Sequence, residues 1–172
     1  MGKGKGKKII SEHNPRQNTK AEPFAEEVSA IFNILIISHG PIAQGYLDAL
    51  AVITGEMPVG MEACSIDEGE SRIDLANRIH ESMERLRCPD GVLVFADMFG
   101  GTPCNVAVEE LLNGNSKIYL LAGFNLSMLL TAAGNRERDL IRIAQEAREA
   151  AHLGIVDVNS RVAEAAQTAD NE

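Results

Sequence analysis

The sequence predicts an α/β fold: a mostly parallel sheet with helices on both faces. Three observations carry this. Short apolar runs alternate with longer amphipathic segments. Two of the runs, Ile34–Ile37 and Val92–Ala96, are apolar at every position, as in strands covered on both faces. Glycine, proline or a small polar residue follows nearly every run, where a chain leaves a strand and turns into a helix.

In order, residues 1–31 are rich in Gly and Lys and then polar, with Pro15 and Pro23, and are expected to form a loosely ordered basic arm. Asn33 to Ser38 reads as the first strand, closed by His39-Gly40. Pro41 suits the first turn of a helix, in which Ile42, Tyr46, Leu50 and Ile53 recur at helical spacing up to Gly55. Val59–Ile66 is the second strand. A helix over 70–87 follows, with Ile73, Ala76, Ile79, Met83 and Leu86 on one stripe. After the turn Cys88-Pro89-Asp90-Gly91 comes the third strand, Val92–Ala96, ending at Asp97. Gly100-Gly101-Thr102-Pro103 opens a helix that runs to Leu112. Lys117–Ala122 is the fourth strand. Helices are expected over 125–133 and 137–152, then a short last strand over 154–158 and a polar tail over 159–172. Residues 32–158 thus form one domain; no internal repeat appears.

Composition excludes several classes of function. The chain of 172 residues can bury a core without disulfides. Its net charge of −9 is uneven: the first twenty residues hold six basic groups against Glu12 alone, so they carry +5 and the remainder −14. Such an acidic body repels nucleic acid and favours partners with a basic face. Aromatic residues make up 4%, too few for a base-stacking surface. Cys64, Cys88 and Cys104 form no zinc or disulfide pattern, which suits a reducing cytoplasm. Gly6 stands where a myristoylation signal needs Ser or Thr. No apolar region follows the first lysines, and no run is long enough to span a bilayer, so neither leader nor membrane insertion is expected.

In open α/β sheets, ligands gather beyond the carboxyl ends of strands, at the point where the strand order reverses. Three segments end strands in this way: Ser38-His39-Gly40, Asp97 to Pro103, and Gly123-Phe124-Asn125. If the first and third strands are neighbours, His39 and Asp97 meet. A neutral imidazole is a nucleophile near pH 7. A carboxylate on one ring nitrogen fixes the tautomer, frees the other nitrogen to attack, and stabilises the cation that develops. Gly100 and Gly101 can turn backbone N–H groups toward phosphate oxygens. Thr102 can bond the anion or cap the helix, whose N-terminus favours negative charge. Those parts suit phosphoryl transfer, which needs positioning and charge stabilisation. His39, Asp97, Gly100, Gly101 and Thr102 are therefore the candidate site. No metal and no cofactor is expected, since a single carboxylate there is thin support for a magnesium site.

Other readings compete. His39 alone could be a hydrogen-bonding residue at a strand end, and Asp97 a loop cap. Cys104, near a helix N-terminus, is read as a packed or merely exposed thiol ahead of a redox nucleophile. His80 reads as a boundary residue, His152 as a cation at a helix C-terminus, and His13 as part of the arm. Arg136, Arg138, Arg142 and Arg148 read as a solvated helix face ahead of a docking surface. Met98-Phe99 is either a partner contact or loop packing. Neither G-x-x-x-x-G-K-[ST] nor G-x-G-x-x-G occurs, so a nucleotide-binding function has no positive support.

Taken together the motifs resemble the IIA components of the mannose family of the bacterial phosphoenolpyruvate-dependent sugar phosphotransferase system. The resemblance spans residues 32–158. It rests on Ser38-His39-Gly40 with Ala43 and Gly45, on Asp97 with Gly100-Gly101-Thr102-Pro103-Cys104-Asn105, and on Gly123-Phe124-Asn125-Leu126-Ser127-Met128-Leu129. It implies a flavodoxin-like sheet, a phosphohistidine at His39 oriented by Asp97, and a homodimer that exchanges its last strand. It also implies a histidine phosphocarrier protein as donor and a IIB component as acceptor. No IIB domain follows residue 172, so the acceptor is expected to be a separate chain. The alternative is a regulatory module of the same fold, with the phosphorylation state of His39 read by a partner. The basic arm lies outside the family pattern, and Ser127 stands where the family often has Pro. The related dihydroxyacetone-kinase phosphocarrier carries a different loop after its Asp.

Overall fold

The computed structural model describes residues 32–114, 117–136 and 139–169; the expectations for the basic arm, for His13 and for Arg138 lie outside them. Among the described residues four strands and six helices follow one another as β1 (Asn33–His39), α1 (Ile42–Thr54), β2 (Met61–Ile66), α2 (Arg72–Arg85), β3 (Val92–Ala96), α3 (Thr102–Leu112), β4 (Ile118–Ala122), α4 (Leu126–Ala133), α5 (Leu140–Leu153) and α6 (Val158–Ala169). The strands form one sheet in the order β2-β1-β3-β4, and every pairing is parallel. Strand order reverses at β1 and β3, which is the arrangement the candidate site requires.

Alternation along β1 and β3 splits the core in two. Ile34, Ile36, Leu93 and Phe95 face α1, α4 and α5, where they meet Leu47, Leu50, Met128, Leu129 and Ile143. Leu35, Ile37, Val92 and Val94 face α2 and α3, against Leu75, Ile79, Met83 and Val106. Because the sheet is covered on both faces, the runs Ile34–Ile37 and Val92–Ala96 of its central strands carry no polar position to mark a solvent side. Cys104 is packed in the second cluster and Cys64 lies there too; burial raises the Cys64 thiol above its ordinary value.

Some elements differ from the sequence reading. On α1 the buried stripe is Ala43, Leu47 and Leu50: Leu50 is buried as expected, but Ala43 and Leu47 take the places expected of Ile42 and Tyr46, and Ile42 and Ile53 are exposed. Tyr46 turns sideways and meets the Phe124 ring edge-on at 5.0 Å. On α2, Leu75 takes the core position expected of Ile73, which faces outward. In both helices several apolar stripes fit the 3.6-residue period, and only the position of the sheet selects one. Arg136 lies ahead of α5, not on it. Its half-buried guanidinium donates to the carbonyls of Phe32 and Val59 and to Asn33 Oδ1, tying the α4–α5 turn to the start of β1. Burial lowers its pKa from the ordinary value. Arg142 does sit on an open face, paired with Glu146 at 2.9 Å.

The expected strand over 154–158 does not form, and much of the expected polar tail is helical. Gly154 ends α5, and Val158–Ala169 is α6. Asp157 starts this helix: Oδ1 accepts from the Asn159 and Ser160 amides, and Oδ2 from the Ser160 hydroxyl. The Ser160 hydroxyl bond, then the Ser160 amide, hold the Asp157 carboxyl below its ordinary value. Residues 158–168 are exposed throughout, so no tertiary burial supports α6 and the cap weighs heavily in a helix this short. A lowered carboxyl pKa means the cap is in place above the ordinary carboxylate value and is lost as pH falls through the lowered one. Asp157→Ala is accordingly expected to reduce ellipticity at 222 nm at neutral pH without shifting the main thermal transition. Unchanged ellipticity would show that something other than the cap holds α6.

Candidate functional site

The site is built where β1 and β3 end side by side. Ile37 of β1 pairs with Ala96 of β3, and the Asp97 amide donates to the Ile37 carbonyl at 3.1 Å. The residue after each paired stretch therefore leaves the sheet at the same edge. The chain after β1 turns at Gly40, which has φ +53°, a conformation that favours glycine. The Gly40 amide reaches across to the Ile66 carbonyl at the end of β2.

Asp97 holds His39 at two points through one oxygen. Oδ2 accepts from the His39 backbone amide at 2.8 Å and lies 2.8 Å from the ring Nδ1. Oδ1 accepts from the Met98 amide at 2.8 Å, which fixes the plane of the carboxylate. With Asp97 ionised, Nδ1 carries the shared proton and Nε2 holds the lone pair. The Asp97 side chain is 12% exposed and that of His39 is 42% exposed, so the carboxylate is shielded while the ring remains reachable from solvent.

Gly101 forms the wall beside the ring. A Cβ there would lie 2.7 Å from His39 Cε1 and 3.4 Å from Nε2, so the ring face rests on bare backbone. Gly101 is also the N-cap of α3 and offers no side-chain acceptor; Pro103 sits in the first turn. Thr102 is the first residue of the helix. Gly100, with φ +79°, makes the turn. All five residues expected at the site are thus gathered at one sheet edge, with the amino end of α3 directed to it.

Three contributors escaped the sequence reading in this role. Asn105 donates its side-chain amide to the Gly100 carbonyl at 3.1 Å and closes the glycine turn. Asn125 caps α4 through the Met128 amide and donates to the Ala151 carbonyl, locking the third strand-end segment onto α5. Ser65 meets the Ser38 hydroxyl across β2 and β1 at 2.9 Å. Only the strand register reveals that last contact. Met98 and Phe99 project from the loop and are exposed, Phe99 by 84%. His80 pairs with Glu110 between α2 and α3, away from these strand ends. Among the described residues no group of His, Cys, Asp and Glu side chains could hold a metal ion, and no helix is long and apolar enough to cross a membrane.

Comparison with known proteins places the chain in a family. Residues 33–168 match the family model described as PTS system fructose IIA component. The "PTS system fructose-specific EIIA component" of Bacillus subtilis (strain 168) is 27% identical over 107 residues, covering 62% of this chain and 72% of that protein. Among solved structures, phosphotransferase system component EIIA from Streptococcus agalactiae superposes with a TM-score of 0.68 at 28% identity, covering 74% of this chain and 98% of the other. The PTS IIA protein associated with the fucose utilization operon from Streptococcus pneumoniae gives 0.63 at 25% identity, with 77% and 98% covered.

The backbone at Gly101, φ −69° and ψ 161°, suits any residue. Gly101→Ala is therefore expected to keep the fold while pushing the His39 ring off its position. Ring resonances of His39 that match the wild type, measured by NMR, would contradict this geometry.

Proposed function

The chain belongs to the family of IIA components of the sugar phosphotransferase system, and from that premise we propose that His39 accepts a phosphoryl group from a histidine phosphocarrier protein and passes it to a IIB component in the cytoplasm. The observation that carries this reading is the 2.8 Å contact of His39 Nδ1 with Asp97 Oδ2. It leaves Nε2 as the nucleophile.

In the proposed step, the lone pair of Nε2 attacks the phosphorus of the donor's phosphohistidine. The new N–P bond forms as the donor's N–P bond breaks, and the donor imidazole leaves with that electron pair. The His39 ring becomes cationic, and Asp97 stabilises it through the retained Nδ1–H. The Gly100-Gly101 turn and the amino end of α3 offer backbone N–H groups to the phosphoryl oxygens. Transfer to the IIB component is the same exchange in reverse. A regulatory role for the same phosphohistidine is the second reading; it uses the same step and differs in what reads the product.

A homodimer is part of the proposal. In its support, β4 is an edge strand of the sheet, and Leu153, Ile155, Val156, Val158 and Val162 expose a run of apolar side chains from the end of α5 onward. Sedimentation at micromolar concentration is expected to give twice the chain mass; a monomer would remove this part of the reading.

With phosphoenolpyruvate and the two general phosphotransfer proteins, the wild type is expected to gain acid-labile phosphate and His39→Ala none. Asp97→Asn retains a side-chain oxygen for the ring but loses the charge, and its amide must face either the Met98 N–H or the His39 pair. A charge-assisted hydrogen bond is worth roughly 1.5–3 kcal/mol, so transfer should slow about 10- to 100-fold. Rapid-quench rates equal to the wild type would reduce Asp97 to a loop cap.

A further inference from the structure

We propose that Ser38 is a positioning residue for the chemistry at His39: its buried hydroxyl caps α1 from outside the helix and fixes the direction of the imidazole. The inference rests on the reading of His39 given above.

Ser38 is fully buried, one of two polar residues so placed among the described residues. Its Oγ accepts from the Ala43 amide at 2.8 Å and lies 2.9 Å from Ser65 Oγ, with the Gly40 carbonyl at a distant 3.5 Å. The need for it is visible in α1. The N-cap is Pro41, which makes no side-chain bond to the helix. Amides in a first helical turn have no partner within the helix. Ala43 is itself fully buried, so water is poorly placed to serve its N–H. An unsatisfied buried N–H is costly, and Ser38, five residues upstream, supplies the acceptor.

The bond closes a small ring of chain, Ser38 through Ala43, and His39 lies inside it. That ring is pinned at other points too. His39 N–H goes to Asp97 Oδ2 and Gly40 N–H to the Ile66 carbonyl. Ser38 and Ser65 are register partners in β1 and β2, and the Ser65 carbonyl is held by Arg78, which also grips Glu70. The Asp97 contact fixes one ring nitrogen. The direction of the other depends on where the His39 backbone sits. Clearance there is small, since one added methyl at Gly101 would overlap the ring.

The test compares Ser38→Ala, Ser38→Thr and Ser65→Ala with wild type. Single-turnover transfer from a phosphorylated phosphocarrier protein is measured over a range of donor concentrations, with nitrogen-15 NMR of the His39 ring in the unphosphorylated proteins. Ser38→Ala is expected to lower the maximal rate about 10- to 100-fold, the scale of a misplacement near 1 Å, and to leave the half-saturating donor concentration unchanged. Its His39 ring signals should move. Ser38→Thr should restore both readouts, and Ser65→Ala should shift the ring signals in the same direction by less. A Ser38→Ala protein that melts earlier yet transfers at the wild-type rate with unmoved ring signals would overturn the proposal. If Ser38→Ala does not fold, Ser65→Ala decides, and unmoved ring signals there would overturn it. Absence of phosphate on wild-type His39 would remove the earlier reading instead, while the ring signals would still report on Ser38.

Discussion

The parallel ladder between β1 and β3 is the constraint on which the rest depends. It places side by side the ends of two strands whose site residues, His39 and Asp97, are 58 positions apart in the chain. A parallel pairing cannot be made by a hairpin and needs crossover connections. The crossovers supply α1 and α2 on opposite faces, and with them the double core. Covering both faces buries Ile34–Ser38 of β1 and all of β3. The sheet edge at their carboxyl ends is then rigid, because moving either strand would disrupt both packing layers.

On this scaffold the site divides its tasks. Asp97 spends both oxygens on fixed donors, the Met98 amide on one side and the His39 amide and ring on the other. Its carboxylate is therefore oriented before any partner arrives. Gly100 and Gly101 give close approach and turning, and Asn105 holds the turn shut. The His39 ring stays partly exposed, which suits the proposed exchange between proteins, in which the phosphoryl group would enter and leave along the same open side. Phe99, bare to solvent at the rim, lies on the surface that any such partner would cover.

Legibility from sequence followed the physical origin of each feature. Fully apolar runs ending in His39 and Asp97 marked β1 and β3, because burial on both faces leaves no alternative pattern. The glycine turn and Pro103 marked the start of α3 through local backbone chemistry. Features set by long-range placement were not legible in the same way. The buried stripe of α1 could have been Ile42-Tyr46-Leu50-Ile53 or Ala43-Leu47-Leu50; Leu50 is common to both, and only contact with the sheet selects Ala43 and Leu47 beside it. The Ser38–Ser65 contact depends on the β1–β2 register, and the Arg136 clamp on a turn that meets the start of β1 more than a hundred residues earlier. Residues 154–158 are apolar enough for a strand, yet no strand pairs with them among the described residues, and the Asp157 cap starts a helix there instead.

The central claim is that Asp97 commits Nδ1 of His39 and leaves Nε2 to carry the phosphoryl group. Nitrogen-15 and phosphorus-31 NMR of the phosphorylated protein, labelled at histidine, tests it most directly. The account predicts one phosphohistidine, bonded through Nε2 of His39, with Nδ1 still protonated and hydrogen-bonded. Phosphate on Nδ1, or on a residue other than His39, would contradict it.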